Sequence, residues 1–205
     1  MPAFIFIGGR NPGSQTITVA GSDTFNVPYF TENLRVRAWG AGAGGSGMTG
    51  ISGVTTGMVP GGNTTFGSLS AGGGNLNNGG IASGGDTNIN GNSTGGSANG
   101  TAAPRTDLGG GAVRLAPVAS APSNGLSGNS YGGGGTSGVS LDGGNPWVGG
   151  GGGSGAFVEK VYTPVTLSPG TVVSYSVGAG GTGGDGASVD GGSGANGALV
   201  IQWDY

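Results

Sequence analysis

Cysteine and histidine are both missing from this chain of 205 residues. Without cysteine there is no disulfide and no thiolate metal site, and cysteine usage leaves the redox compartment open. Without histidine, Ser-His-Asp and Cys-His catalysis, His-ligated zinc and the usual pH switch fall away. Carboxylates, hydroxyls and Lys160 are the chemical groups that remain. Charge is scarce as well: 7% of residues are charged, six basic against nine acidic, for a net charge of −3. The five arginines and one lysine stand singly, so no basic stripe exists to neutralise phosphates, which excludes nucleic acid and acidic lipid as partners. No apolar run approaches a membrane span, so no membrane insertion is expected. Residues 3–7 are apolar, but they lack a basic flank and are shorter than a signal core, so no signal peptide is expected. No window combines helical periodicity with a cap, which predicts essentially no α-helix.

Glycine is what the chain has in place of these, 55 residues of it, in uneven runs such as 132–135 and 149–153. Glycine loses more entropy on folding than any other residue, so a chain this rich in it folds only where backbones meet too closely for a β-carbon. Disorder is the competing reading. It normally accompanies high charge and few apolar residues, whereas 34% of this chain is hydrophobic. The composition therefore favours extended, polyproline-II-like runs with glycine turned inward, without the strict three-residue sequence period of collagen.

Alternation and β-branched content place strands toward both ends. Residues 16–19 and 24–27 flank Gly21-Ser22-Asp23, which reads as a tight turn. Leu34, Val36 and Ala38 alternate with Arg35, Arg37 and Trp39. Strands follow at 156–162, at 172–177 after a Ser168-Pro169-Gly170 type II turn, and at 198–203. Weaker candidates lie at 64–69, 87–90 and 112–118. The expected fold is all-β: a small antiparallel sheet or sandwich from the two ends of the chain, carrying a large glycine-rich insertion over 41–155, with Val36, Phe157, Val177 and Ile201 in a shared core. Residues 1–15 read as an attachment segment and 16–205 as one glycine-rich β domain.

Several segments recur in a recognisable order. Trp-Gly-Ala-Gly ends a strand at 39–42; Thr-Thr-Phe-Gly-Ser stands at 64–68 and Ser-Gly-Gly-Asp-Thr-Asn-Ile at 83–89. Ser-Gly-Ala-Phe-Val-Glu-Lys follows a glycine run at 154–160. A Pro-Gly turn leads to Val-Gly-Ala-Gly-Gly within 169–181, and Gly-Ala-Leu-Val-Ile-Gln-Trp closes the series at 197–203. In this order and spacing the chain resembles the glycine-rich domain of bacteriophage tail-fibre, tail-tip and related virion proteins. That resemblance implies a receptor-binding adhesin.

Each chemical motif has a plainer reading. Gly40, Gly42 and Gly45 spell G-x-G-x-x-G after a strand, but no helix follows to receive a pyrophosphate. Residues 180–187 resemble the first part of a calcium-binding nonapeptide, yet the loose repeat at 191–198 comes eleven residues on, so a turn held by Asp185 is the simpler account. Asp86, Asp107, Asp142, Asp185 and Asp190 sit in glycine-rich Asx-turn contexts, with no pair marked out for glycan hydrolysis. Glu159-Lys160 reads as a solvated strand edge. Tyr131, Trp147 and Phe157 are large aromatics in or beside glycine runs; they either cap a glycine bundle or stack against a receptor. Tyr131, Asn145 and Trp147 are the expected receptor contacts.

The expectation is thus a non-enzymatic structural protein of the virion, a tail-fibre tip or spike without cofactor or metal, made in the host cytoplasm. Its partners would be other virion proteins and a bacterial surface receptor, either a glycan or an outer-membrane protein. A homo-oligomer is compatible with this. The alternative is a capsid or tail decoration protein binding neighbouring subunits. A third reading, an ice-binding or cell-surface protein, needs a regular threonine or alanine array, and the threonines are irregular in sequence.

Overall fold

The structure, a computed structural model, describes residues 12–49, 54–75, 78–94, 100–101, 104, 122–142 and 145–204. Among these the chain is all-β with antiparallel sheets and no helix. Strands β1 (Gly13–Ile17), β3 (Leu34–Trp39), β9 (Thr87–Ile89), β12 (Phe157–Tyr162) and β14 (Ala198–Trp203) form one five-stranded sheet in the order β1-β14-β3-β12-β9. The second sheet contains β2 (Gly21–Asn26), β6 (Thr64–Phe66), β7 (Leu69–Ala71), β8 (Ala82–Ser83) and β13 (Val172–Val177), in the order β2-β13-β6-β7-β8.

The alternation in Leu34–Trp39 explains how the sheets meet. Leu34, Val36 and Ala38 point inward and join Phe25, Phe66, Leu69, Val158, Val173, Val177, Leu199 and Ile201 in one buried core between the sheets. Aromatic pairs bind that core across the sandwich, with Phe25 5.9 Å from Trp203 and Phe66 6.2 Å from Tyr162. Burial of each large apolar side chain contributes about 1.5–3 kcal/mol. Phe157 does not share this core. It sits one residue out of phase with Val158, so it faces outward and packs with Trp39 and Ala198 in a second cluster.

Three local readings shift in the structure. Gly21-Ser22-Asp23 is the start of β2; the chain reverses at 18–20 and crosses between sheets, so β1 pairs with β14 and β2 with β13. The stretch 64–69 is a hairpin, because Gly67 at φ +54° turns β6 back on β7. The first strand begins at Gly13, ahead of residue 16. The type II turn stands as expected, with Gly170 at φ +79° and Thr171 N–H donating to the Ser168 carbonyl at 3.2 Å. The candidate strand at 112–118 lies outside the described residues.

The glycine runs form a second layer of organisation. Residues 40–46 are its axis. The amides of Gly40, Ala43 and Ser46 donate to the carbonyls of Ala156, Gly153 and Gly150. Those of Ala41 and Gly44 donate to Gly62 and Val59, and those of Gly42 and Gly45 to Ala195 and Gly192. Carbonyls follow the same rule: Gly42 and Gly45 accept from Gly181 and Gly184, Ala43 and Ser46 from Gly135 and Gly138. A partner that returns every third residue means three residues per turn, the geometry of a polyproline-II helix. Such a helix has no internal hydrogen bonds, so neighbouring runs must satisfy its backbone. Six runs surround the axis: 59–62, 72–75, 132–138, 149–156, 178–184 and 191–197. Two of the six come from the C-terminal segment, outside the 41–155 stretch.

Candidate functional site at the bundle pole

The axial run enters β4 (Gly47–Thr49), which pairs with β5 (Val54–Thr56). Run 132–138 enters β10 (Val139–Asp142), which pairs with β11 (Asn145–Val148) and leads into run 149–156. Ser46 ties these elements together at one level. Its N–H and its hydroxyl both donate to the Gly150 carbonyl at 2.9 Å, and its carbonyl accepts from Gly138 N–H at 3.0 Å. The loop 184–190 joins them: Met48 bridges to Val189, and Asp190 N–H donates to Asn124 Oδ1 at 3.0 Å. Met48, Val189 and Val139 are buried beneath the hairpins. The pole opposite the sandwich is therefore a rigid floor from which two hairpins and a loop project.

Trp147 projects from this pole. In β11 it stands opposite Ser140, which is buried, while Trp147 is 45% exposed and Val148 beside it 50%. Asn145 opens the same strand, opposite Asp142. Tyr131 is elsewhere. Its ring lies 5.2 Å from that of Trp39, which is buried and donates from Nε1 to the Pro104 carbonyl at 3.1 Å. A run of seven residues separates Tyr131 from β10, about 25 Å at the polyproline-II rise. The structure thus brings Asn145 and Trp147 together and sets Tyr131 at the junction of bundle and sandwich, where it covers the Trp39–Phe157 cluster.

The geometry also decides among the chemical motifs. The amides of Gly40, Gly42 and Gly45 are all spent on neighbouring runs, so none is left to cradle a phosphate. In the 180–198 segment the two glycine stretches pair with each other, Gly191 to Gly184 and Gly194 to Gly181. Asp190 Oδ1 there accepts from Gly186 N–H at 3.1 Å. Among the described residues no three Asp or Glu side chains converge as a metal site would require. Asp86 and Asp204 likewise accept from backbone amides, those of Val161 and Glu32. On the outward face of the first sheet, Glu159 lies 3.7 Å from Arg37, which also donates to Gln202.

The opposite pole carries a feature not anticipated from sequence. Loops 27–33 and 163–171 expose Tyr29, Phe30 and Val165, and Val172 is exposed where β13 begins. Phe30 at φ +67° and Asp204 at φ +50° lie at this pole and are the non-glycine residues with positive φ among those described. Adjacent aromatics in a polar loop were the available signal.

Searches against protein-family models and against curated proteins find no match for this chain.

Proposed function

We propose that this chain is a structural protein of a bacteriophage virion, a tail-fibre tip or spike that attaches the particle to the bacterial surface. One observation carries the reading: every run around the axis is locked by backbone bonds, while the hairpins at the bundle pole hold an apolar aromatic, Trp147, half in solvent. Rigid scaffolds that present loops in this way place recognition on the loops. The receptor is a glycan or an outer-membrane protein, bound through Trp147 and the Asn145 end of β11 without catalysis or cofactor. Each contact is weak, and the copies on one particle multiply it. The sandwich end, with Tyr29, Phe30, Val165 and Val172, faces other virion proteins.

A capsid or tail decoration role is the second reading, favoured by those same exposed apolar residues and by the two strained positions beside them. Replacing residues 140–147 by a glycine-serine linker of equal length separates the two. Adhesion predicts particles that assemble normally and fail to adsorb to cells. Particles that lack the protein altogether would support decoration and overturn adhesion.

A further inference from the structure

Every strand of the second sheet contributes one hydroxyl to a single straight row. The registers set Ser22 opposite Ser176, Ser176 opposite Thr65, Thr65 opposite Ser70, and Ser70 opposite Ser83. This crosses β2, β13, β6, β7 and β8 in their spatial order. The flanking residues Thr64, Phe66, Leu69 and Ala71 are buried, so the row lies on the outward face. With strands about 4.8 Å apart, the five hydroxyls extend over about 19 Å. Thr24 and Ser174, paired with each other, begin a second row beside it. The Thr65 and Ser176 hydroxyls are 2.8 Å apart and hydrogen-bonded. Two adjoining depressions follow the row, one of about 470 Å³ over its Ser22–Ser176–Thr65 half and one of about 460 Å³ over Ser70 and Ser83, the latter edged by Asn63, Asn75 and Asn78.

The charge on the sandwich strands lies mostly on the other sheet, at Arg35, Arg37, Glu159 and Lys160, and none falls in this row. Asp23, the acidic residue of these strands, stands opposite Tyr175 and in phase with the buried Phe25, so its side chain leaves from the other face. A hydroxyl both donates and accepts, which suits a ligand whose own groups are hydroxyls. The face lacks the apolar centre that a protein partner requires. Ile81, 72% exposed at one end, offers a contact for the apolar side of a sugar ring.

We propose that this face binds a neutral, extended polysaccharide laid across the strands, with one pyranose unit per strand. The interstrand spacing is close to the rise of one such unit along an extended glycan, so each sugar meets one hydroxyl of the row. A row without cations offers no partner to the anionic groups of uronate- or phosphate-bearing chains and so discriminates against them. The site is distinct from the bundle pole and stands whether or not Trp147 contacts a receptor.

Titration of the ¹⁵N-labelled full chain with uncharged hexose oligomers of six units (cellohexaose, maltohexaose and a β-1,3-glucohexaose), and with an oligogalacturonate of equal length, tests the proposal. At least one neutral oligomer is expected to shift the amides of Ser22, Thr65, Ser70, Ser83 and Ser176 saturably, with a dissociation constant on the order of millimolar. Thr65→Val with Ser70→Val should weaken that binding about tenfold, through two lost hydrogen bonds. Valine suits solvent-facing strand positions, so the double variant keeps its fold. Trp147→Ala should leave the shifts unchanged. The proposal fails if no neutral oligomer shifts the row, if the double valine variant binds as well as the parent, if the oligogalacturonate binds equally, or if Trp147→Ala abolishes the shifts.

Discussion

Gly42 and Gly133 meet backbone to backbone: a β-carbon on Gly42 would stand 2.1 Å from the Gly133 carbonyl oxygen. Because Gly42 lies in the axial run, its displacement would disturb bonds to 191–197 and 178–184 together. Gly42→Ala is therefore expected to lower unfolding free energy by about 3 kcal/mol or more. Gly57, with nothing within 4 Å of a β-carbon, is the control. Gly57→Ala should be neutral or raise stability by about 0.4–1 kcal/mol through the unfolded chain. Denaturant midpoints of the two variants check the difference.

Tyr131 and Trp147 should separate stability from attachment. Tyr131→Ala removes a ring packed on Trp39 and is expected to cost about 1–3 kcal/mol while leaving adsorption per folded protein intact. Trp147→Ala should change stability by less than about 0.5 kcal/mol and abolish cell attachment. Melting curves paired with a whole-cell binding assay give both readouts.

The hydroxyl of Ser137 is fully buried and has no hydrogen-bond partner. An unsatisfied buried hydroxyl is destabilising, and alanine fits the same space. Ser137→Ala should thus raise stability by about 1 kcal/mol, seen as an upward shift in thermal midpoint.

Burial, reinforced by the Asp86 carboxylate, pushes the Tyr162 phenol above its ordinary range, against a smaller lowering by its hydrogen bond with Ser68. A raised folded-state value means that the folded protein holds the proton more tightly than the unfolded one. This contribution is complete below the unfolded value of about 10 and is lost as pH climbs from there through the folded value. With no histidine to titrate, melting temperature should be level between about pH 6 and 9 and then fall. Tyr162→Phe should flatten the alkaline limb.

Strands whose sequence alternates were legible. Leu34–Trp39, Val172–Val177 and Ala198–Trp203 show their inward faces in the order of their residues. The turn at Gly21 was not, since glycine serves a strand start as readily as a turn, and only the pairing of Gly21 with Val177 decides. The glycine runs were visible as runs, but their partners were not. Glycine at nearly every position erases the face pattern that would mark which neighbour each residue meets, and the threefold repeat exists only in the hydrogen bonds. Tyr131 and Trp147 look alike in sequence, both set beside glycine. What divides them is that Tyr131 finds Trp39 across more than ninety residues of chain, a contact no local signal announces. The serine row is hidden for the same reason: its members are scattered from Ser22 to Ser176 and become neighbours only through register.

The bundle is held by peptide hydrogen bonds around glycine, and the larger buried apolar core lies between the sheets. Unfolding the bundle exposes mostly peptide groups, whose hydration lowers heat capacity, where ordinary cores expose hydrocarbon that raises it. The whole chain should accordingly unfold with a heat-capacity increment below the usual figure of about 12–15 cal/mol/K per residue. Its stability then changes slowly with temperature in both directions, so that warming or cooling by tens of degrees leaves the folded population nearly unchanged.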